Sequence, residues 1–251
     1  MAHTSNISTR AVAAMLLLCA GCAVLFGQIA LRAAEVQIER EAAYTDTEIG
    51  NRSCYTIVID AGHGGEDGGT QSASGLYEKT VNLEIAQMLT AMLDGCGVET
   101  VMTRQEDILL YDRNADYHGH KKMLDLATRK KIAEETENAL FVSIHMNAFP
   151  EKQYKGLQVF YSVNDSTSYT VASGIQERAR MWLDPGNTRK VKAATSAIYL
   201  LDRLKCPAVL VECGFLSNPE EAARFETTEY RQKVAFTIFC ALMVQISEQG
   251  A

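Results

Sequence analysis

The sequence predicts an α/β domain that follows one transmembrane helix. Short β-branched runs alternate along the chain with longer segments in which apolar residues recur at helical spacing, and this alternation is typical of the α/β class. The chain has 251 residues, of which 47% are hydrophobic, so it can bury the core of one domain of substantial size. The predicted boundaries are residues 1–10 for a short N-terminal segment, 11–31 for a membrane span, 32–52 for a linker and 53–251 for the domain.

The predicted membrane span is an apolar run from Ala11 to Leu31 that carries no charged residue. As a helix it is long enough to cross roughly 30 Å of hydrocarbon. A cleaved secretory signal would have a basic start and small residues before the cut. Here Arg10 is the only lysine or arginine before the run, and Arg32 interrupts the best small-residue site. We therefore favour an uncleaved anchor, with a cleaved signal and lipid attachment at Cys22 as the alternatives.

The residue pattern predicts a linker and then strands and helices in turn. Residues 32–52 are polar, rich in Glu and Thr, and without sustained periodicity, which is typical of a linker. Tyr55 to Asp60 is a β-branched run that stops at a glycine-rich loop, and Val81 to Leu93 carries apolar residues at helical spacing, so we predict a strand and a helix. Further strands are predicted at Val98–Met102, Leu140–Ile144, Gly156–Tyr161 and Ala208–Val211, and further helices at Met123–Glu135, Tyr169–Trp182 and Tyr230–Ile246.

Charge and cysteine content argue against several kinds of site. The formal net charge is -7, which disfavours a nucleic-acid partner because phosphate binding needs clustered Lys and Arg. The tight basic run at residues 129–131 is interpreted as a solvated helix face. Two of the seven cysteines lie in the apolar run, and the remaining five are odd in number and form no C-x-x-C pair. We therefore predict neither a cysteine metal site nor a disulfide framework.

Polar residues follow three of the predicted buried strands. His63 comes after TIVID, His145 after LFVSI and Glu212 after AVLV. In an open α/β sheet, ligands bind beyond the carboxyl ends of the strands, where the loops converge. The sequence therefore predicts that these three side chains meet at one edge of the sheet.

The chemistry of these residues predicts a zinc site. Zn²⁺ binds imidazole and carboxylate, and a hydrolytic site has three protein ligands and leaves the fourth position to water. We predict His63, Glu78 and His145 as the ligands. Glu78 lies just before the first helix and can fold back across the glycine loop. Glu66 and Asp67 are nearer to His63 in sequence but point less predictably.

Five further residues have a structural interpretation beside a functional one. His118 and His120 lie in a polar stretch with no buried strand before them and are predicted to be at the surface. Cys213 lacks the basic neighbours that would activate a thiol and is predicted to pack in the core. Asn147 and Asn218 are candidate substrate-binding residues, with loop capping as the alternative.

Four segments of the chain resemble the signatures of a known family: VIDAGHGGEDGG, LYEKTVNLEIA, FVSIHMNA and PAVLVECGFLSNPEEA. The family is that of the zinc N-acetylmuramoyl-L-alanine amidases of the amidase-3 type, and the resemblance covers about Cys54 to the carboxyl terminus. It implies that His63, Glu78 and His145 are the zinc ligands and that Glu212 is the catalytic glutamate. It also implies a twisted, mostly parallel or mixed sheet with helices on both faces.

The resemblance implies a peptidoglycan hydrolase. Such an enzyme uses zinc-activated water to cleave the amide bond between the lactyl group of N-acetylmuramic acid and the L-alanine of the stem peptide. A membrane segment followed by a lone catalytic domain further resembles the sporulation-cortex, germination-related subgroup. This substrate implies that the domain lies outside the cytoplasm at the cell membrane, or is secreted if the N-terminal segment is cleaved. The sequence identifies no activator protein.

Two other functions are compatible with the same residues. A zinc peptidase acting on wall peptides would use the same ligands and the same glutamate base, and the products of digestion separate it from an amidase. A noncatalytic peptidoglycan-binding module would keep the pocket but lose a ligand or the base, and the presence of Glu212 counts against it. The amidase is therefore the favoured function.

Overall fold

The computed structural model of the chain describes residues 55–111 and 120–249. The predicted N-terminal segment, membrane span and linker lie outside these residues. Within them, no helix is both long enough and apolar enough to cross a membrane. The elements in chain order are β1 (Thr56–Ala61), α1 (Glu78–Asp94), β2 (Thr100–Met102), α2 (Lys121–Glu135), β3 (Ala139–Asn147), β4 (Gln158–Tyr161), α3 (Thr167–Trp182), β5 (Lys192–Ala193), α4 (Tyr199–Arg203), β6 (Ala208–Phe215), α5 (Pro219–Phe225) and α6 (Thr228–Gln249).

The predicted strands and helices are all present, within a few residues of their predicted bounds. The additional elements β5, α4 and α5 have two, five and seven residues, which is too short for a hydrophobic period to indicate them. Two strands are longer than predicted, since β3 extends to Asn147 and β6 to Phe215. His145 and Glu212 therefore lie inside strands rather than after them.

The described strands form one mixed sheet in the order β2-β1-β3-β6-β4-β5. β1 pairs in parallel with β2 and β3, β3 pairs in parallel with β6, and β4 pairs in parallel with β5. The antiparallel pair is that of β4 with β6. The predicted α/β class with a mixed sheet is therefore confirmed.

Helices cover both faces of the sheet, because the central strands are apolar on both. Side chains alternate between faces along a strand, and Ile57 and Ile59 pack with residues of α1, α3 and α6. Val58, between them, packs on the other face with residues of α2 and α4. All three side chains are fully buried. A strand enclosed in this way reads as a continuous hydrophobic run, which is why YTIVID indicates a strand in the sequence.

The interpretation of the basic run at residues 129–131 as a solvated helix face is wrong for Arg129. Only 1% of Arg129 is exposed, because α2 turns Asp125, Arg129 and Ala133 toward the sheet at four-residue spacing. The guanidinium is paired there with two carboxylates. Its Nη1 lies 2.6 Å from Asp60 Oδ1 and its Nε lies 2.7 Å from Asp125 Oδ2. A charged residue can be buried when it is paired in this way.

We expect acid to destabilise the metal-free protein through Asp60. Burial alone would raise the pKa of Asp60, but the Arg129 guanidinium and the Ser143 hydroxyl outweigh it and hold the pKa below its usual value. A carboxyl with a lowered folded-state pKa stabilises the fold fully above its unfolded pKa of about 3.9, and this stabilisation is lost as pH falls through the folded-state value. Denaturant unfolding in chelator, from neutral pH to about pH 2, measures the loss.

The matched variant is Asp60→Asn, which keeps the size of the side chain and removes its charge. At neutral pH it should be less stable than the parent by about 3–5 kcal/mol, because Arg129 loses a buried partner. The difference should shrink as the pH falls below about 4, because the unfolded parent then takes up a proton on Asp60 while the folded parent resists it. A difference that stays constant across this range would contradict the account.

Candidate metal centre and catalytic glutamate

The three predicted zinc ligands lie together in the structure. One donor atom from each of His63, Glu78 and His145 lies within 4.8 Å of the others. Glu78 Oε1 lies 3.3 Å from His63 Nε2 and 3.0 Å from His145 Nδ1. In the part of the chain that the structure describes, no other His, Cys, Asp or Glu residues form such a group. The structure therefore brings together the ligand set that the sequence predicts.

Parallel strand pairing places these residues at the carboxyl edge of the sheet. In the β1–β3 pair, Ala61 lies opposite Ile144. His63 follows two residues after Ala61, and His145 directly follows Ile144. In the β3–β6 pair, His145 lies opposite Glu212. This is the edge of an α/β sheet at which ligands bind.

Glu78 is held in place by backbone donors on both of its oxygens. It is the first residue of α1 and is buried. Its Oε2 accepts a hydrogen bond from the Thr70 N–H at 2.8 Å, and its Oε1 accepts one from the Met146 N–H at 3.0 Å. Burial would raise the pKa of Glu78, but its contacts with His145 and His63 outweigh burial and lower the pKa. The carboxylate is therefore in the ionised form that binds a metal.

The loop between β1 and α1 approaches the ligands closely because two of its positions are glycine. A Cβ atom at Gly62 would lie 2.2 Å from His145 Nε2, and one at Gly69 would lie 2.5 Å from Glu78 Oε2. Gly69 also has a φ of +65°, in the left-handed region that favours glycine. A side chain at either position would displace a ligand.

The His63 ring lies between two carboxylates. Its Nε2 lies 3.3 Å from Glu78 Oε1, and its Nδ1 lies 2.9 Å from Asp67 Oδ1. Burial would lower the pKa of His63, but Asp67 and Glu78 outweigh it and raise the pKa to about 9. A site that attracts a proton this strongly also suits a metal cation, which competes with protons for its ligands.

Glu212 lies beside the three ligands but is not one of their group. It is opposite His145 in the sheet, and its Oε2 is buried with no hydrogen-bond partner among the described residues. Burial raises the pKa of Glu212 to about 7, with His145 and Glu78 acting in opposite directions. A carboxyl group with this pKa can accept and release a proton near neutral pH.

The sequence of the chain matches a known family over most of the domain. The family is described as N-acetylmuramoyl-L-alanine amidase, and the match covers residues 57–243. The chain belongs to this family. The resemblance that four sequence motifs predict is therefore confirmed.

Relatives of this amidase include a curated protein and several solved structures. The germination-specific N-acetylmuramoyl-L-alanine amidase of Bacillus subtilis (strain 168) is 37% identical over 194 residues, which cover 77% of this chain and 81% of the relative. The CwlD amidase from Clostridioides difficile, solved in complex with the GerS lipoprotein, is 36% identical with a TM-score of 0.73, covering 77% of this chain and 99% of that chain. The amidase AmiC2 of Nostoc punctiforme is 28% identical with a TM-score of 0.66, covering 78% of this chain and 99% of that chain.

The two candidate substrate-binding residues of the amidase have different surroundings. Asn218 caps α5, because its Oδ1 accepts hydrogen bonds from the Glu220 and Glu221 N–H groups at 3.0 Å each. Its Nδ2 donates to the Lys152 carbonyl at 2.8 Å. These contacts agree with the alternative interpretation, in which Asn218 caps a helix and does not bind substrate. Asn147 is half-buried at the end of β3 and stays a candidate.

Three of the other residues considered in the sequence are Glu66, His120 and Cys213, and none of them belongs to the ligand group. Glu66 Oε2 pairs with Lys121 Nζ at 2.7 Å. His120 is exposed just before α2, and His118 lies outside the described residues. Cys213 is buried, and burial raises the pKa of its thiol, which agrees with a packing role.

Two residues that contact His63 were not given this role in the sequence analysis, where Asp67 was set aside as a metal ligand and Arg129 was assigned to a solvated helix face. Asp67 faces the ring nitrogen that points away from the ligand group, in the manner of a residue that orients a ligand from outside. Arg129 Nη2 donates a hydrogen bond to the His63 carbonyl at 2.7 Å. The signal for Arg129 was its spacing, since Asp125, Arg129 and Ala133 recur every four residues and so share one helix face.

Replacement of a histidine ligand should remove the metal without unfolding the amidase. His63→Ala and His145→Ala each leave two of the three ligands. Changing a residue that only orients a ligand lowers metal affinity by about 10–100-fold, so loss of a ligand itself should lower zinc affinity by more than that. Metal content after dialysis, measured by mass spectrometry, tests this, with unfolding curves to show that the variants fold. His120→Ala is the control because His120 is exposed. Unchanged zinc in both ligand variants would reject this ligand set.

Proposed function

We propose that this amidase works at a zinc ion bound by His63, Glu78 and His145, with Glu212 transferring the proton. The bond that it hydrolyses joins the lactyl group of N-acetylmuramic acid to the L-alanine of the stem peptide, as the family and its relatives support. One observation gives the main support for this assignment of Glu212. Glu212 lies opposite the ligand His145 in the sheet, and its Oε2 is buried without a hydrogen-bond partner among the described residues.

The residues present fit a catalytic zinc ion. Two imidazoles and one carboxylate are a known ligand set of zinc hydrolases and leave one coordination position open. The carboxylate of Glu78 is already ionised in the site. When bound, zinc supplies a Lewis acid and lowers the pKa of a water molecule that it coordinates from about 15.7 toward about 7.

Glu212 handles the proton in both halves of the reaction. Its carboxylate accepts a proton as the water oxygen attacks the lactyl carbonyl carbon. It then donates that proton to the L-alanine nitrogen as the carbon–nitrogen bond breaks. The products are a glycan with a free lactyl carboxyl group and a stem peptide with a free amino end. Burial raises the pKa of Glu212 in the metal-free protein, which favours uptake of the proton by this carboxylate.

Glu212→Gln should keep zinc bound and lose turnover. Glutamine has nearly the same shape but cannot accept the proton, so kcat should fall by about 10²–10⁴-fold. Purified peptidoglycan is digested with each variant, with and without chelator, and zinc is measured on the same samples. Glu220→Gln is the control, because Glu220 is exposed on α5. Loss of zinc from Glu212→Gln would show that Glu212 is a ligand instead.

The fragments released in that digestion separate the three candidate functions. An amidase releases intact stem peptides whose L-alanine amino ends are attached to no sugar. Cuts inside the peptide would favour the zinc peptidase. Binding of peptidoglycan by the zinc-loaded protein without release of any fragment would favour the noncatalytic module or a missing activator protein.

We place the stem peptide in a groove of about 340 Å³. Parts of its lining lie just beyond site residues in the chain, since Phe149 follows the strand that carries His145 and Leu216 follows the strand that carries Glu212. The lining combines apolar Phe149 and Leu216 with charged Lys152 and Glu226. This mixture suits a peptide that carries methyl groups together with carboxyl and amino groups.

Removal of the Phe149 ring should weaken substrate binding more than chemistry. The ring is 49% exposed and packs edge-on against Tyr154, so it can cover an apolar part of the peptide. Phe149→Ala should raise KM by about tenfold with kcat nearly unchanged, as expected for a contact made equally in ground and transition states. Tyr169→Ala on α3 is the exposed aromatic control. Equal KM values in both variants and the parent would exclude the groove as the peptide site.

We also propose that the amidase acts on spore cortex from the outer side of the membrane. The Bacillus subtilis relative is named as germination-specific. The apolar run at residues 11–31 supports a membrane anchor, and the peptidoglycan substrate supports a domain outside the cytoplasm. CwlD from Clostridioides difficile forms a complex with the GerS lipoprotein, so a lipoprotein is the class of partner that we propose. Faster digestion of cortex than of vegetative peptidoglycan would support the cortex role, and equal rates would favour a general wall role.

A further inference from the structure

Every N–H group of the Arg129 guanidinium is used inside the protein. Nε donates to Asp125 Oδ2 at 2.7 Å, and Nη1 donates to Asp60 Oδ1 at 2.6 Å and to the Ala61 carbonyl at 2.8 Å. Nη2 donates to the His63 carbonyl at 2.7 Å and to Asp125 Oδ1 at 3.3 Å. These contacts use all five donors of an arginine. Arg129 therefore has no donor left for a substrate, and its role must be exerted through the residues that it holds.

His63 has a backbone conformation that needs outside support. Its φ is +63°, in the left-handed region that residues with a Cβ atom rarely adopt and that persists where surrounding structure holds it. Among the described residues, the other non-glycine residue with positive φ is Asn138, a residue type that tolerates this region. The Arg129 contact to the His63 carbonyl fixes the orientation of the peptide that follows this conformation.

The partners of Arg129 are themselves anchored to the sheet. Asp60 accepts hydrogen bonds from the Thr103 hydroxyl at 2.7 Å and from the Ser143 hydroxyl at 2.6 Å. Asp125 Oδ1 also accepts the Leu110 N–H at 2.8 Å. The guanidinium is thus fixed relative to β1 and β3, and the carbonyl that it holds is fixed relative to the strand that carries His145.

We propose that Arg129 is a positioning residue for the metal centre. It holds the backbone of His63 in the left-handed conformation and so directs the imidazole toward Glu78 and His145. The inference rests on the metal site proposed above and adds to it a residue that touches neither metal nor substrate. Asp67 completes the arrangement from the other side, since it faces the ring nitrogen that points away from Glu78.

The test compares Arg129→Lys with Arg104→Lys in the full chain purified in detergent. Arg104 is a matched control, because it is 2% exposed and donates to the Ala61, Gly62 and Lys79 carbonyls near the site but not to His63. Lysine keeps the positive charge but lacks the planar guanidinium group and its five N–H donors. Three quantities are measured for each variant: zinc affinity by chelator competition, the visible spectrum of the Co²⁺-substituted protein, and denaturant stability of the metal-free form.

Arg129→Lys should lower zinc affinity by about 10–100-fold, the usual effect of changing a residue that orients a ligand, and should alter the Co²⁺ spectrum. Arg104→Lys should lower the stability of the metal-free form but change zinc affinity by less than about threefold. Equal losses of zinc affinity in the two variants, or an unchanged affinity and spectrum in Arg129→Lys, would overturn the proposal.

A second variant decides the matter if Arg129→Lys does not fold. Asp125→Asn keeps Arg129 and its ion pair with Asp60 but weakens the hydrogen bond from Arg129 Nε. Zinc affinity should therefore fall by about tenfold. An unchanged zinc affinity would overturn the proposal. The parent and His63→Ala are measured alongside. If the parent binds zinc and His63→Ala does not, the proposed metal site is supported, whatever the zinc affinity of Arg129→Lys. A parent without zinc affinity would reject the metal site and the role of Arg129 together.

Discussion

Parallel pairing of β1, β3 and β6 brings the carboxyl ends of three strands to one edge, and the site depends on that register. His145 lies opposite Glu212 in the β3–β6 pair, and the β1–β3 pair sets where the chain leaves the sheet toward His63. The register is fixed by apolar side chains buried on both faces. A slip of one residue would send Val58 to the layer that now receives Ile57 and Ile59, so it is strongly opposed.

A layer of buried charge lies directly beneath this edge, although the rest of the sheet is covered by apolar side chains. Asp60, Arg129 and Asp125 form it, with hydroxyl groups from β3 and from the residue after β2. A buried ion network of this kind adds little stability compared with apolar packing of the same volume, and is better explained by the geometry that it fixes. Here it fixes the carbonyl groups of Ala61 and His63, at the point where the sheet gives way to the glycine loop.

The sequence carries the fold class and the site residues because both are expressed in local patterns. Buried strands appear as short β-branched runs, and His63, His145 and Glu212 stand at or near their carboxyl ends. The burial of Arg129 has only a weak local sign, which is the four-residue spacing of Asp125, Arg129 and Ala133. Its partner Asp60 is 69 residues away in sequence, and neighbouring lysines suggest a solvated surface. Contacts of that range arise only once the sheet and α2 are packed together. The ends of β3 and β6 are missed for a related reason, because ladder pairing extends these strands through polar residues.

Glu78 and Glu212 lie beside the same histidine, yet their surroundings prepare them for different chemistry. Glu78 receives backbone N–H donors on both oxygens and contacts two imidazoles, so its charge is stabilised and its pKa is lowered. Glu212 has a buried oxygen with no donor, and burial raises its pKa to about 7. Carboxylates whose environments separate their pKa values in this way divide the roles of fixed charge and proton carrier between them. A metal ligand must stay ionised, and a proton-transfer residue must change its charge within each turnover. The donors around Glu78 therefore suit it to the proposed role of ligand, and the absence of a donor at Glu212 Oε2 suits that residue to the proposed role of base.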